Sequence, residues 1–210
     1  MGGAQVHHIL KWIYPECMRK IVAGFALLVM ALVASGSQMR SRGLASAPIV
    51  MDVYSDFQCP TCKLVYETIL NQLVYDYVDK GKVYLVHHEY PLPQHAHAME
   101  AACYACAASR VGKYDQVCDV LFHQQETWAA NGKVDETVCS VLTPAEAKKV
   151  RALAKDPAIA AEVRQDIQAG RTAQVNATPT MILTHRGKQY RLPIANYDIL
   201  RRFIDQLLAN

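Results

Sequence analysis

The sequence has little net charge, no cluster of basic residues and no repeat, and each shortage excludes a class of protein. The formal net charge of the 210 residues is +3 at pH 7, and the basic residues are spread along the chain without the interleaved aromatics typical of nucleic-acid surfaces. We therefore expect no nucleic-acid partner. No internal repeat or low-complexity tract is present, which argues against a repeat protein. The composition, 51% apolar and 20% charged residues, predicts an ordinary globular chain that is long enough for one core.

The first 36 residues have the features of an export signal. A basic Met18-Arg19-Lys20 precedes an uncharged apolar run from Ile21 to Ala34, and the small residues Ser35 and Gly36 follow. The run is shorter than the about 20 apolar residues of a membrane-spanning helix, so we favour a signal peptide cleaved after Ser35 or Gly36 over an uncleaved signal anchor. In both cases the rest of the chain lies on the exported side, in the periplasm or at the extracytoplasmic face of the membrane.

Residues 37–47 are small, polar and basic, and indicate a linker before a domain that spans 48–210. Two β-rich apolar runs, PIVMDVYSDF and GKVYLVHHEY, predict strands. The segment between them has the apolar spacing of one helix face, at Val65, Ile69, Leu73 and Tyr77. A β-α-β unit of this kind implies parallel strands joined by a right-handed crossover.

A helical block follows at about 96–171. Its markers are a capping box that begins at Thr143 and the N-cap pair Asp156-Pro157, which precedes a helix that Gly170 can end; we expect four or five helices. After the block, TPTMILTH and QYRL predict a β-hairpin, and Asn196 can cap a last helix. The order predicts an α/β fold, β-α-β and then β-β-α, with an inserted all-helical subdomain. Without the block, the fold is expected to be a small mixed sheet with a helix on each face.

The pair Cys59 and Cys62, in FQCPTCKL, is the main candidate for chemistry. Pro60 follows Cys59 at a position where a missing N–H costs a helix nothing, so Cys59 is predicted at the N-cap. Unpaired N–H groups and the positive end of the helix dipole favour thiolate there, which predicts a lowered pKa for Cys59. Cys62 lies on the apolar stripe and should be shielded. An exposed nucleophile backed by a shielded partner is what disulfide exchange requires.

Other roles of the cysteines stay open at this point. Cys103 and Cys106 form a second CxxC that would complete a zinc or copper site, but their Ala-rich helical context favours two small core residues. A purely structural disulfide within the 59–62 segment would close too small a loop to constrain the unfolded chain much. Cys118 and Cys139, separated by about 20 residues, are a candidate structural disulfide in an oxidising compartment.

The motifs resemble those of a known family. FQCPTC after one strand, EYPLPQHAHAMEAACYA after the second and NATPTMIL before the third are similar to the DsbA-like thiol:disulfide oxidoreductases of the thioredoxin superfamily. The resemblance covers about 48–208 and implies a thioredoxin-like fold in which the helical block is the inserted domain. It further implies that Pro179 is cis beside the redox pair, that the backbone of Thr178 binds an extended substrate segment, and that Pro60 and Thr61 support the active site.

One position departs from the family pattern. Many members carry a buried Glu or Asp six residues before the first active cysteine, where it can move protons to the resolving thiol, and this chain has Val53 there. The adjacent Asp52 is expected on the opposite face of the strand, because side chains alternate. The departure leaves the route of proton transfer and the direction of electron flow open.

The sequence thus predicts an exported thiol:disulfide oxidoreductase with Cys59 as nucleophile and Cys62 as resolving cysteine. Disulfide formation is the preferred direction; the alternatives are a thiol reductase or isomerase, and a periplasmic soft-metal-binding or assembly factor that uses the CxxC as ligands. The expected partners are cysteine-containing exported proteins and a membrane redox partner that recharges the disulfide. Because the cysteine pair carries the electrons, we expect no metal and no organic cofactor, and we expect a monomer.

Overall fold

The computed structural model describes residues 40–192 and 196–209. The leader predicted at 1–36 lies outside the described residues. Within the two described ranges, no helix has the length and apolar content needed to cross a membrane.

Five strands of the described residues form one mixed sheet. They are Ser41–Arg42 (β1), Ile49–Ser55 (β2), Val83–Glu89 (β3), Thr180–His185 (β4) and Lys188–Leu192 (β5). Their order in the sheet is β1-β3-β2-β4-β5. Strands β2 and β3 run parallel, and each of the other neighbouring pairs is antiparallel. The predicted β-α-β unit and the later hairpin are therefore confirmed.

The helices fall into three groups along the chain. Helix α1 covers residues 60–78 and alternates α-helical and π-helical turns, in the segments Pro60–Val65, Tyr66–Leu70, Asn71–Leu73 and Val74–Val78. The helical block contains Ala98–Ser109 (α2), Tyr114–His123 (α3), Gln125–Asn131 (α4), Val134–Cys139 (α5), Pro144–Ala154 (α6) and Pro157–Thr172 (α7). The last helix is Tyr197–Ala209 (α8).

The predicted helix starts are confirmed. Thr143 forms the capping box with Glu146, and the Asp156 side chain accepts a hydrogen bond from the Ala158 N–H. Asn196 Oδ1 accepts the Ile199 N–H at 3.1 Å at the start of α8. These local signals need only neighbouring residues, which is why the sequence reveals them.

The block, which is described throughout, has six helices rather than the expected four or five. Gly132 takes a left-handed φ of 72° and separates the short helices α4 and α5. Helix α7 continues past Gly170, which serves a different purpose from the predicted helix end. A Cβ at Gly170 would lie 2.5 Å from Cε2 of Tyr90, so a glycine lets helix and aromatic ring approach closely.

Helices α1 and α8 pack on the same face of the sheet. The aliphatic side chains of β2 at Ile49, Met51 and Val53 join one buried core with residues of both helices. Asp52 lies on the other face with His88, which is hydrogen-bonded to Asp166 of α7. For the fold without the block, the expectation of one helix on each face is therefore wrong. Alternation along β2 places its three aliphatic residues on one side, where both helices pack, and α7 of the block lies at the other face.

The segment 37–47, predicted as a linker, differs from that expectation in its described part. Ser41–Arg42 pairs with β3, and Arg40 is only 3% exposed, with its guanidinium bonded to the Asp166 carboxylate. A strand of two residues has no periodic pattern, and Asp166 lies 126 positions away in the sequence. The chain is thus anchored to the domain from Arg40 onward.

Candidate redox site

Cys59 lies at the N-cap of α1, as predicted. Its φ of −81° and ψ of 120° are extended, and Pro60 follows in the first turn. Cys59 is 7% exposed, so it is more buried than the exposed nucleophile that the sequence predicts. Pro60 and Thr61, which follow it, are exposed. Cys62, one turn further on, is 1% exposed, as its place on the apolar stripe predicts.

The pKa values of the two thiols are shifted in opposite directions. Hydrogen bonding with Cys62 lowers the pKa of Cys59 to about 5, against the effect of partial burial, and backbone N–H groups at the helix start act in the same direction. Burial, together with the hydrogen bond to Cys59, raises the pKa of Cys62 well above its ordinary value. At neutral pH the pair is therefore a thiolate at Cys59 and a thiol at Cys62.

The segment before β4 reaches the redox pair. The Thr178–Pro179 peptide bond is cis, as the resemblance implies, and the Thr178 carbonyl oxygen lies 3.5 Å from Cys59 Sγ. The contact arises from the sheet: β4 pairs antiparallel with β2, with Tyr54 opposite Thr180. The end of β2 and the start of β4 therefore meet at the same edge. Pro179 is buried, and Thr178 is half-buried beside it.

Gln125, from α4 of the helical block, is a site residue that the sequence did not indicate. It is 3% exposed, and its Nε2 donates to the carbonyl oxygens of Phe57 at 2.6 Å and Cys59 at 3.0 Å. Those partners lie 68 and 66 positions away, so no local pattern announces the contact. Gln125 therefore fixes the backbone of the turn at 56–59, which we call the redox loop, to the helical block.

Asp56, in the turn between β2 and Cys59, is a second missed residue. Its carboxylate is fully buried and accepts hydrogen bonds from the Gln58 N–H, the Leu92 N–H and His95. An aspartate in a turn before a helix is a common turn residue, and that signal was available in the sequence.

The position of Val53 agrees with the departure from the family pattern. Val53 is buried in the aliphatic core, and Asp52 faces the other side, where its Oδ1 lies 2.8 Å from His88 Nε2. The structure instead contains a buried acid at Glu89, the last residue of β3, which is 2% exposed. Burial raises the pKa of Glu89 to about 7, and the Tyr114 hydroxyl donates to it at 2.7 Å.

The candidate disulfide between Cys118 and Cys139 stays a prediction. In the structure both residues, like Cys59 and Cys62, are thiols. Cys118 is buried and lines a small cavity with Phe122, whereas Cys139 is partly exposed with its Sγ 3.5 Å from Asp135 Oδ1. As thiols, the two residues therefore have different neighbours.

Cys103 and Cys106 are buried in α2, in an apolar cluster with Ile159 and Val163 of α7. The redox pair belongs to a different cluster, so the two CxxC motifs are not brought together. In the part of the chain that the structure describes, no three His, Cys, Asp or Glu residues are grouped so that they could hold a metal ion.

The sheet order, the inserted helical block and the CxxC at a helix start beside a cis-proline define a thioredoxin-like fold with a redox-type cysteine pair. A family model described as Thioredoxin matches residues 35–206. The chain belongs to the thioredoxin family, and its fold is that of the DsbA-like thiol:disulfide oxidoreductases.

Individual relatives agree with this assignment. The chain is 24% identical over 181 residues to the probable disulfide bond formation protein D of Bacillus anthracis, an alignment that covers 82% of this chain and 79% of the relative. Among solved structures it is similar to oxidised BdbD from Bacillus subtilis, with a TM-score of 0.67 and 21% identity over 84% of this chain and 95% of that one. It is also similar to alpha-DsbA1 of Wolbachia pipientis, with a TM-score of 0.66 and 16% identity over 81% and 90%.

Proposed function

We propose that this protein is an exported thiol:disulfide oxidoreductase that passes a Cys59–Cys62 disulfide to protein substrates. The observation that carries the proposal is the asymmetry of the pair: Cys59 at the helix start has a pKa lowered to about 5, and Cys62 is buried behind it. A relative that is named a probable disulfide bond formation protein supports the same direction.

The exchange proceeds in two steps. A substrate thiolate attacks Cys59 Sγ, the Cys59–Cys62 bond breaks, and its electron pair goes to Cys62 Sγ, which then takes up a proton. A second substrate thiolate attacks the substrate sulfur of the mixed disulfide, so the substrate disulfide forms and Cys59 leaves as a thiolate. The substrate loses two electrons and the cysteine pair gains them.

Disulfide formation is the favoured direction because a stabilised Cys59 thiolate stabilises the reduced form of the enzyme. A reduced form that is stabilised makes the disulfide a stronger oxidant, and a thiolate of low pKa is a good leaving group in the second step. The pair then has to be reoxidised, and we assign that role to a membrane redox partner. The pair itself carries the electrons, so the reaction requires neither a metal nor an organic cofactor.

The substrates are cysteine-containing exported proteins, bound as extended segments. The half-buried Thr178 beside Cys59 is suited to pair its backbone with such a segment in the manner of an added strand, with Pro179, Pro60 and Thr61 shaping the surface. Residues 1–36 supply the export signal or anchor, and the domain acts as a monomer in the periplasm or at the extracytoplasmic face of the membrane.

Oxidation of a reduced model protein tests the proposal. The oxidised enzyme should restore disulfides and activity to a reduced, unfolded ribonuclease, whereas Cys59→Ser and Cys62→Ser should abolish this catalysis. Cys139→Ser is the matched control, because it removes a partly exposed thiol away from the pair and should leave the rate unchanged. A Cys59→Ser variant as fast as wild type would refute the proposal, and stoichiometric metal bound through Cys59 and Cys62 would favour the soft-metal-binding alternative.

A further inference from the structure

We infer that Asp56 is a positioning residue for the Cys62 thiol, an inference that rests on the proposed disulfide exchange. The Asp56 backbone contacts both cysteines. Its N–H donates to Cys62 Sγ at 3.4 Å, and its carbonyl oxygen accepts the Cys59 N–H at 3.1 Å. The orientation of this residue therefore decides whether the Asp56 N–H, which acts beside the Ser55 side chain, faces the buried sulfur.

The Asp56 side chain fixes that orientation. Oδ1 accepts the Gln58 N–H at 2.7 Å, and Oδ2 accepts the Leu92 N–H and the His95 Nδ1–H, each at 2.7 Å. The carboxylate is fully buried, so its contacts are not shared with bulk solvent. It connects the redox loop, through the Gln58 N–H, to the loop that follows β3, through the Leu92 N–H and His95.

The charge on Cys62 explains why this matters for the chemistry. When a substrate thiolate attacks Cys59, the electron pair of the Cys59–Cys62 bond goes to Cys62 Sγ. In the reverse direction, Cys62 must become a thiolate before it attacks Cys59 Sγ in the mixed disulfide, and the substrate sulfur leaves with the electron pair. Burial disfavours this charge in both directions, and a fixed N–H donor offsets part of that cost.

The site thus divides the work between two groups of donors. The helix start stabilises the charge on Cys59, and the Asp56 N–H, together with the Ser55 side chain, stabilises the charge on Cys62. If the Asp56 carboxylate is removed, the turn is free to rotate its N–H away from Cys62, while the helix start that serves Cys59 remains. The expected defect is therefore confined to the step that places charge on Cys62.

Reaction of the reduced protein with the aryl disulfide 5,5′-dithiobis(2-nitrobenzoate) separates the two steps. The first thionitrobenzoate released reports attack by Cys59, and the second reports attack of Cys62 on the mixed disulfide. All variants carry Cys17→Ser and Cys139→Ser, so that neither the leader cysteine nor the partly exposed Cys139 thiol contributes to the signal. We expect Asp56→Asn to slow the second release about tenfold, the effect of a lost hydrogen bond to a charged group, and to leave the first unchanged.

Two controls accompany this measurement. Asp52→Asn alters an aspartate that also pairs with a histidine, His88, on the other face of the sheet, and should change neither release. His95→Ala should slow the second release, and His95→Asn, whose side-chain N–H can replace Nδ1–H, should restore it. The histidine variants keep the test decisive if Asp56→Asn does not fold.

The outcomes separate the two claims. A folded Asp56→Asn variant with a second release as fast as wild type would overturn the positioning role, as would a His95→Ala variant without any effect. A Cys62→Ser variant that still releases a second equivalent would instead contradict the exchange chemistry of the pair.

Discussion

Two residues of one type, Cys59 and Cys62, differ in acid strength because their surroundings differ. Cys59 Sγ lies at a helix start and interacts with Cys62, whereas Cys62 is enclosed in the core with the Asp56 N–H as a donor. Desolvation acts against charge at both sites, and the hydrogen bonds outweigh it only at Cys59. The pair is therefore polarised before any substrate arrives.

The pH dependence of Cys59 alkylation tests this polarisation. Only the thiolate reacts, so the rate of modification by iodoacetamide, followed by mass spectrometry of the Cys59 peptide, should rise with pH around a midpoint near 5. Cys62→Ala should shift the midpoint upward, because hydrogen bonding with Cys62 is the largest cause of the lowered pKa. A midpoint at the ordinary cysteine value of about 8.5 in the wild type would contradict the account.

At the level of elements, helix α4 connects the helical block to the redox loop through Gln125. Gln125→Leu removes the amide at similar volume and leaves the buried Phe57 carbonyl oxygen without this donor. We expect the free energy of unfolding, from urea denaturation, to fall by about 1–3 kcal/mol.

The matched control is Gln116→Leu. Its amide also donates to a carbonyl oxygen, that of Val141 at 2.6 Å, but on the surface. This change should stay within about 0.5 kcal/mol of wild type, as is usual for surface substitutions. Equal losses in the two variants would mean that Gln125 does not anchor the redox loop.

The elements also show how far the sequence alone leads. The start of α1 at Cys59 and the capping box at Thr143 were predictable, because each depends on residues within one turn. Strand β1 was not, because two residues carry no alternation and its anchor Arg40 finds its partner in α7. The cis bond at Pro179 followed only from the resemblance, since local sequence favours trans. Gln125 was missed because its partners come from another element. Asp56 is recognisable as a turn residue, but its bond to the Leu92 N–H comes from another part of the chain.

Across the whole molecule, Asp166 holds three parts of the chain together. Its carboxylate contacts Arg40 before β1, His88 of β3 and the Glu89 N–H. Asp166→Ala would leave the Arg40 guanidinium buried without its ion-pair partner, which typically costs about 3–5 kcal/mol in the free energy of unfolding.

The pair formed by Arg42 and Asp79 provides the comparison for that experiment. Its side chains are close to half exposed and lie 3.2 Å apart. Asp79→Ala should therefore lower the free energy of unfolding by only about 0.2–1 kcal/mol in the same urea titration. If Asp166→Ala and Asp79→Ala lower the free energy of unfolding equally, the buried Arg40–Asp166 pair stabilises the fold no more than an exposed pair does.

The pH dependence of stability should carry the signature of Glu89. Its pKa is raised from 4.5 to about 7, so the folded protein retains a proton that the unfolded chain releases. The contribution of Glu89 to the free energy of unfolding therefore falls as pH rises through this window, by up to about 1.4 kcal/mol per pH unit. Glu89→Gln should flatten that slope in urea titrations between about pH 5 and pH 7.

His88 acts in a higher window. Burial alone would lower the pKa of His88, but hydrogen bonds to Asp166 and Asp52 raise it to about 9. The contribution of His88 to the free energy of unfolding is therefore complete below pH 6.5 and is lost as pH rises through 9.

The control for the Glu89→Gln variant is a change at the exposed Glu136. Glu136→Gln should leave the slope of the free energy of unfolding against pH unchanged. A wild-type slope that persists in Glu89→Gln would assign the titration to another group.

The reduction potential of the Cys59–Cys62 pair tests the central claim most directly. It can be measured by equilibrating the protein in glutathione buffers and trapping the thiols at each ratio. The reduction potential is about −120 mV for DsbA and about −270 mV for thioredoxin. A pair that donates disulfides should have a potential nearer to that of DsbA. A value near −270 mV would contradict the assignment as an oxidant and would make the protein a reductant.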